Sequence, residues 1–265
     1  MKICLLQLPV SEDKQANLHQ AAQAVEQAKN RGCDLVVFPE MFCCPYDNRC
    51  FPQYAEEVGG PIWSTLQAMA RNNEIWLVGG SFPERAGEHL YNTSFVFSPS
   101  GQQVARHRKI HLFDIDIQGG QCFRESDILS AGHTLTVFET PFGTFGLCIC
   151  FDLRFPALFE AMADQGAQVI FVPAAFNPTT GPCHWELLFR SRAVDNQLYT
   201  VGVSSAPTEG ASYVAYGHSI VCNPWGDVVA QMGQEVGALD VNLDLDLVAS
   251  VREQLPVRCA RKPFQ

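Results

Sequence analysis

The chain has 265 residues, of which 47% are hydrophobic and 17% charged, and its formal net charge is −10. Its apolar content excludes an intrinsically disordered protein, and a chain of this length can bury a substantial core, so we predict one domain over residues 1–265. The acidic balance argues against a nucleic-acid partner, which needs a basic surface, and no apolar run reaches the roughly 18 residues of a membrane span.

Buried strands and amphipathic helices alternate along the chain. Short apolar runs predict the strands, and apolar residues three and four positions apart predict the helix faces. This alternation indicates an α/β fold whose sheets are covered by helices. The predicted strands are 3–8, 35–38, 75–78, 145–150 and 169–172. The residues that mark helix faces are Leu18, Ala21, Ala22 and Val25; Ile62, Leu66 and Met69; Phe155, Leu158, Phe159 and Met162; and Trp185, Leu188, Phe189 and Ala193.

Two segments interrupt this alternation and resemble each other. Residues 91–106 and 218–231 each predict a hairpin with a four-residue turn, at 98–101 and 223–226. Each turn has Pro at its second position and Gly at its last, which favours a type I turn. One such hairpin in each half of the chain predicts two similar half-folds packed together.

The eleven cysteines are scattered and contain no CxxC pair. This spacing supports neither a zinc ribbon nor a thioredoxin motif, and we expect no metal. The apolar first ten residues predict a strand rather than a secretory signal. We therefore expect a reducing, cytoplasmic environment in which most thiols are buried packing groups.

Three reactive side chains follow predicted strands. Glu40 follows the strand at 35–38, Lys109 ends the first hairpin, and Cys150 ends the strand at 145–150. Sites in α/β sheets form at the carboxyl ends of strands. A thiol, a carboxylate and an ammonium group are sufficient for acyl transfer, although each of the three residue types is more often structural when taken alone.

Three sequence blocks that contain these residues resemble the nitrilase superfamily of carbon–nitrogen hydrolases. They are VFPE at 37–40, HRKIHL at 107–112 and LCICFDLRFP at 147–156. The resemblance implies that Glu40 is the general base, Lys109 the oxyanion-stabilising cation and Cys150 the nucleophile, with the Phe151 N–H as a second oxyanion donor. It also implies a four-layer α-β-β-α sandwich that pairs into an eight-layer homodimer and needs no cofactor.

Two further expectations concern Cys148, inside the third block, and Glu125, between the second and third blocks. Cys148 precedes Cys150 by two residues, and we expect strand alternation to turn its side chain to the opposite face. The segment around Glu125 resembles the family segment that supplies an additional active-site glutamate, which would hold the substrate amide or steer a water. The alternative for Glu125 is a solvated residue in a surface loop.

Four further blocks resemble the ω-amidase branch, which hydrolyses the terminal amide of short dicarboxylate monoamides such as 2-oxoglutaramate. They lie at 176–182, 184–186, 191–197 and 211–218. The predicted partner is thus a small-molecule amide of the 2-oxoglutaramate or succinamate type. The alternatives within the family are a deaminated-glutathione amidase, a nitrilase, an N-carbamoyl amino acid hydrolase and a non-catalytic binding member.

A Cys–His mechanism is the main competing hypothesis. Cys150 with His184 or His218 would suggest a papain-like hydrolase. The sequence signature of a papain-type cysteine is absent, which disfavours this mechanism.

The substrate carboxylate needs a cation in this acidic protein. Arg154 lies four residues after Cys150, and a guanidinium can bind a carboxylate through two parallel hydrogen bonds. Tyr46 and Thr180, in loops after strands, would add hydroxyl donors. The alternative is that Arg154 pairs with a protein acid such as Asp152 or Glu160.

Overall fold

The computed structural model describes residues 1–118 and 122–262, and within them the chain alternates strands and helices as the sequence predicts. The strands are β1 Lys2–Gln7, β2 Leu35–Val37, β3 Trp76–Val78, β4 Phe82–Ala86, β5 His89–Phe97, β6 Gln103–Arg108, β7 Asp114–Asp116, β8 Cys122–Arg124, β9 Val137–Thr140, β10 Gly143–Leu147, β11 Val169–Ala174, β12 Tyr199–Ser204, β13 Ile220–Cys222, β14 Val228–Gln231 and β15 Gly237–Asn242. The helices are α1 Lys14–Asn30, α2 Phe51–Tyr54, α3 Pro61–Asn72, α4 Pro156–Asp164, α5 Gly181–Asn196, α6 Asp246–Gln254 and α7 Val257–Ala260.

The helix starts follow local chemistry. The Asp13 carboxylate caps α1 by accepting hydrogen bonds from the N–H groups of Gln15 and Ala16. Helices α3, α4 and α5 each have a proline in the first turn, where the missing N–H costs no intrahelical hydrogen bond.

Most strands belong to two large sheets. The first has the order β15-β1-β2-β3-β5-β4, with β6 paired to β5, and the second has the order β14-β13-β12-β11-β10-β9. The central trios β1-β2-β3 and β10-β11-β12 are parallel, and both hairpins are antiparallel as predicted. Each half of the chain therefore contributes three parallel strands followed by a hairpin, which explains the resemblance between the two halves.

The two sheets pack face to face between two layers of helices. Their inner faces share one apolar cluster, to which β1, β2 and β3 of one sheet and β10, β11 and β12 of the other contribute. The outer face of the first sheet packs against α1 and α3, and that of the second packs against α4 and α5. The fold is thus the expected four-layer α-β-β-α sandwich. The central strands are continuously apolar because both of their faces are buried.

One strand ends well before its predicted end, whereas β1 and β2 each end only one residue early. Strand β10 ends at Leu147, whereas the sequence predicts a strand as far as Cys150. A short 3-10 helix, Cys150–Arg154, begins where the strand was expected to finish. The apolar run Leu147–Cys150 cannot reveal this boundary, because buried strands and buried turns have similar composition.

Within residues 1–118 and 122–262, no helix combines the length and the apolar character that crossing a bilayer requires.

Candidate active site

Glu40, Lys109 and Cys150 converge at the carboxyl ends of strands from both sheets. Glu40 lies three residues after β2, Lys109 directly follows β6, and Cys150 lies three residues after β10. All three are buried, with exposures of 1%, 0% and 4%. Glu40 and Lys109 are 69 positions apart and meet within the first sheet, whereas Cys150 reaches them because the second sheet packs against the first.

An ion pair joins two members of this trio. Lys109 Nζ lies 2.8 Å from Glu40 Oε1, and the same oxygen accepts a 2.8 Å hydrogen bond from Asn92 Nδ2. Within the described residues, Glu40 Oε2 has no hydrogen-bond partner. A buried carboxylate oxygen without a donor is free to accept a proton from a neighbouring thiol.

Glu125 is the second carboxylate of the site. Its Oε2 lies 2.9 Å from Lys109 Nζ and accepts a 2.6 Å hydrogen bond from the Phe113 N–H. Its Oε1 accepts a 2.6 Å hydrogen bond from the Tyr46 hydroxyl. Glu125 is fully buried, so the alternative of a solvated loop residue is wrong. Lys109 is thereby held between two carboxylates.

The charges of the site alter the pKa of Lys109. Burial by itself lowers the pKa of the ammonium group, but the Glu125 and Glu40 carboxylates outweigh burial and hold the pKa above its ordinary value. Lys109 therefore stays protonated across the physiological pH range and provides a permanent buried cation.

Cys150 has both an unusual backbone and a perturbed thiol. Its φ of 45° lies in the left-handed region, which costs about 1–3 kcal/mol for a residue other than glycine. Burial and the Glu40 carboxylate raise the pKa of the thiol well above its ordinary value, whereas Lys109 and the Ala175 N–H oppose the rise. Burial and Glu125 likewise raise the pKa of Glu40, against the effect of Lys109.

The environment of Cys148 differs from that of Cys150, but not for the reason given by the sequence. Residues two apart on a strand share a face, so the alternation argument was wrong. The chain instead leaves the strand after Leu147, and the left-handed conformation of Cys150 redirects its side chain. The Cys148 thiol is fully buried in the core beneath α4 and α5, where Asp152 and Arg192 act on it.

Asp152 connects the segments that contain Lys109 and Cys150. Its carboxylate accepts hydrogen bonds from the Ile149 N–H at 3.1 Å and the His111 N–H at 2.9 Å. Its oxygens also lie 3.0 Å from His107 Nε2 and 2.7 Å from His111 Nδ1. One buried carboxylate thus ties both sides of Lys109 to the turn of Cys150.

Two glycines permit close backbone approaches beside the site. A Cβ on Gly80, whose φ is 59°, would lie 2.2 Å from the Pro39 carbonyl oxygen, directly before Glu40. A Cβ on Gly132 would lie 2.2 Å from the Arg108 carbonyl oxygen, and the Gly132 N–H donates to the Lys109 carbonyl at 2.8 Å. Glycine at these positions lets the neighbouring loops support Glu40 and Lys109.

A cavity of 590 Å³ opens next to the trio. Buried Glu40, Tyr46, Ala175 and Tyr213 line it, together with the exposed Arg49. Its size suits a small organic molecule. Cys150 does not line the cavity itself but is adjacent to Glu40 and Ala175, which do.

Arg154 and Thr180 lie outside the lining of this cavity. The Arg154 guanidinium carbon is 5.4 Å and 5.0 Å from the ring centroids of Phe151 and Phe176, and Nη1 donates to His184 Nδ1 at 3.1 Å. Asp152 pairs with two histidines and Glu160 with Arg261, so neither acid named in the alternative pairs with Arg154. The Thr180 hydroxyl donates to Asn177 Oδ1 at 3.1 Å.

Several contacts of the site were not predicted from the sequence. Asn92 holds Glu40, the Phe113 N–H holds Glu125, and Tyr213 lines the cavity. Asn92 is on β5, the long strand of the first hairpin, and no local signal separates it from other polar strand residues. Tyr213 falls within the block 211–218, which pointed to the branch but not to a role for this residue.

A separate cluster with metal-ligating side chains lies away from the site. The ligand atoms of Cys4, Cys33 and Asp240 are within 4.8 Å of one another. The Arg31 guanidinium donates to both Asp240 oxygens, at 2.8 and 3.0 Å, and contacts Cys4 Sγ at 3.3 Å. An arginine therefore already supplies the positive charge of this cluster.

Comparison with known proteins agrees with the fold and with the sequence blocks. The carbon-nitrogen hydrolase family profile matches residues 2–253. Omega-amidase NIT2 of Xenopus tropicalis is 45% identical over 261 residues, which cover 98% of this chain and 95% of the relative.

Two crystal structures extend this comparison. Saccharomyces cerevisiae Nit3, a member of branch 10 of the nitrilase superfamily, is 39% identical with a TM-score of 0.88, over 97% of this chain and 94% of that one. An amidase from Nesterenkonia sp. AN1 is 28% identical with a TM-score of 0.80, over 98% and 99% of the two chains. Its glutamate-to-glutamine mutant shows Michael addition of acrylamide at the active-site cysteine.

Proposed function

Because this chain belongs to the carbon–nitrogen hydrolase family, the nitrilase superfamily, and is a hydrolase of carbon–nitrogen bonds, we propose that its reaction is that of an ω-amidase. The substrate class is a small dicarboxylate monoamide of the 2-oxoglutaramate or succinamate type, and the products are the acid and ammonia. The observation that supports an amidase most directly is the buried ion pair of Lys109 and Glu40 beside the Cys150 thiol.

Cys150 attacks the amide carbon in the first step. Burial and the Glu40 carboxylate both raise the pKa of the thiol and so favour its neutral form. Glu40 therefore removes the thiol proton as the carbon–sulfur bond forms, and its Oε2 is the oxygen without another partner among the described residues.

The negative charge then develops on the former carbonyl oxygen. Lys109 and the Phe151 N–H are the donors that stabilise it, since Lys109 is a permanent cation and Phe151 lies in the first turn of the 3-10 helix at Cys150. Glu40 passes its proton to the amide nitrogen, the carbon–nitrogen bond breaks, and ammonia leaves. The acyl group remains on Cys150 as a thioester.

Water completes the reaction. Glu40 takes a proton from a water molecule that attacks the thioester, and the proton returns to the Cys150 sulfur as the acid is released. Glu125 positions the amide or this water, a role supported by its contacts with Lys109 and with Tyr46, which lines the cavity. The reaction balances without a metal or an organic cofactor.

The substrate's second carboxylate is assigned to Arg154. This guanidinium is partly buried, acts electrostatically on Cys150, and has no carboxylate partner within the described residues. Thr180 and Tyr46 are proposed to add hydroxyl donors. Each of these hydroxyls has a protein partner, so substrate binding would require it to exchange that partner for the ligand.

A homodimer in the cytoplasm completes the proposal. All eleven cysteines are free thiols, which is consistent with a reducing compartment. Light scattering after size exclusion measures the mass in solution: a dimer has twice the 29.3 kDa of one chain, and the mass of one chain would contradict this part of the proposal.

Ammonia release from a panel of substrates tests the proposed activity. The panel contains 2-oxoglutaramate, succinamate, a nitrile and an N-carbamoyl amino acid, with the Cys150→Ala variant as the control for contaminating enzymes. We expect the highest kcat/KM with the two monoamides. Preferential turnover of the nitrile or the carbamoyl compound would reassign the substrate class. Absence of ammonia release from every substrate would favour a binding protein.

A further inference from the structure

Tyr213 makes a contact that links the cavity wall to the nucleophile. It lies between β12 and β13, is buried, and lines the cavity. Its hydroxyl donates a hydrogen bond to the Ala175 carbonyl oxygen. Ala175 directly follows β11, the strand beside β10, so this contact reaches the strand end next to Cys150.

Ala175 also lies beside the turn of Cys150, because β11 pairs with β10, the Cys148 N–H donates to the Phe171 carbonyl at 3.1 Å, and β11 contacts the 3-10 helix that begins at Cys150. The Ala175 N–H is one of the groups that favour the Cys150 thiolate. Lys109 is another, whereas burial and Glu40 act in the opposite direction. Because few groups favour the thiolate, the orientation of a single N–H has a measurable effect on thiol reactivity.

A second contact holds the same stretch of backbone. The Tyr216 N–H donates to the Phe176 carbonyl at 2.6 Å. The connection between β12 and β13 therefore makes hydrogen bonds to both Ala175 and Phe176, the two residues after β11. The ring centroids of Tyr213 and Tyr46 are 4.6 Å apart. This packing restricts the direction of the Tyr213 hydroxyl. The hydroxyl is thus positioned by the Ala175 carbonyl and the Tyr46 ring.

We infer that Tyr213 is a positioning residue for the nucleophile: its hydroxyl fixes the backbone at Ala175 so that the Ala175 N–H is directed at the Cys150 sulfur. The inference rests on the proposed role of Cys150 as the nucleophile. Removing the hydroxyl frees the Ala175 carbonyl, loosens the adjacent N–H and weakens the stabilisation of the thiolate. The hydroxyl need not touch the substrate for this effect.

Alkylation of Cys150 by iodoacetamide tests the inference without any substrate. The rate is followed from pH 6 to 10 by mass spectrometry of the Cys150 peptide, which separates it from the other thiols. We expect Tyr213→Phe to slow alkylation about fivefold at pH 7.5, the effect of losing one neutral hydrogen bond. The midpoint of the rate–pH profile should also shift to higher pH. Tyr199→Phe is the matched control, because it removes a hydroxyl that donates to Asp244 at 3.0 Å, outside the site.

The outcomes distinguish positioning from general structure. An unchanged rate and pH profile for Tyr213→Phe overturns the inference, as does an equal slowing in Tyr199→Phe. Thermal unfolding is measured for each variant, and Tyr213→Leu replaces the Phe variant if that one does not fold. A further outcome is that the alkylation rate of Cys150 depends on Tyr213 while no substrate of the panel releases ammonia. That result would overturn the proposed ω-amidase activity and leave this inference standing.

Discussion

His107 Nε2 lies 3.0 Å from Asp152 Oδ2, and both side chains are fully buried. The contact connects β6, which precedes Lys109, to the 3-10 helix that begins at Cys150. Burial by itself would raise the pKa of Asp152, but hydrogen bonds from His107 and His111 outweigh it and hold the pKa below its ordinary value. A buried carboxylate that does not touch the cavity thereby sets the distance between the proposed cation and the proposed nucleophile.

Replacing this carboxylate should affect both stability and its pH dependence. We expect Asp152→Asn to lower the free energy of unfolding by about 3 kcal/mol at pH 7, because the buried donors lose a charged partner. The folded-state pKa is depressed, so this stabilisation is complete above the unfolded value near 4 and is lost as the pH falls toward the folded value. Urea unfolding at several pH values measures the free energy of unfolding of the wild type and the variant. The difference between the two free energies should shrink below about pH 4. A difference that stays constant would contradict the assignment.

The two neighbouring cysteines should have opposite effects on activity. We expect Cys150→Ala to abolish turnover, because the proposed thioester cannot form. Cys148→Ala should retain most of it, since this thiol lies in the core with Asp152 and Arg192 as its charged neighbours. Steady-state ammonia release decides the matter, and an inactive Cys148→Ala with an active Cys150→Ala would reverse the assignment.

Loss of the buried ion pair should reduce turnover without unfolding the protein. We expect Lys109→Ala and Glu40→Gln each to lower kcat by at least about 100-fold, the scale for removing an oxyanion donor or an acid–base group. Circular dichroism checks that each variant is folded.

Histidine variants provide the control for this experiment. His184 contacts Arg154, and the His218 ring stacks on Tyr216, so His184→Ala and His218→Ala should preserve the chemical step. An inactive histidine variant together with an active Glu40→Gln would favour the Cys–His mechanism.

Arg154 can be tested with two substrates of the same length. We expect Arg154→Lys to raise KM for succinamate by about tenfold or more, because lysine cannot form two parallel hydrogen bonds to a carboxylate. The KM for butyramide, which lacks the carboxylate, should change little. Equal losses on both amides would assign Arg154 to the structure of the turn.

The sequence was informative where local chemistry determines structure. Continuous apolar runs identified the buried strands, and the turns at 98–101 and 223–226 identified both hairpins, whose glycines at 101 and 226 have positive φ as such turns require. The three blocks also pointed to the residues that the sheets bring together. These features depend on short stretches of chain, which a single sequence displays directly.

The remaining features depend on contacts between distant segments. Asn92 reaches Glu40 across 52 positions because β5 is placed beside the end of β2 by way of β3. Beyond the end of β10 at Leu147, the Asp152 carboxylate holds the Ile149 N–H and both histidines beside the left-handed backbone of Cys150. Composition and periodicity contain no information about such partners, so the end of β10 was predicted incorrectly. The Cys148 argument failed for a different reason, because side chains two residues apart on a strand share a face.

The pairing of β1 with β15 has a consequence for synthesis on the ribosome. Lys2 lies opposite Asn242 in this antiparallel pair, so the first strand to emerge must wait for residue 242 before it gains its outer neighbour. The second sheet lies entirely within residues 137–231 and can be completed sooner. Because chains are made from the N-terminus, the sheet that begins second is the first whose strands are all available. Until then the nascent chain exposes the free edge of β1, and an unpaired strand edge favours aggregation.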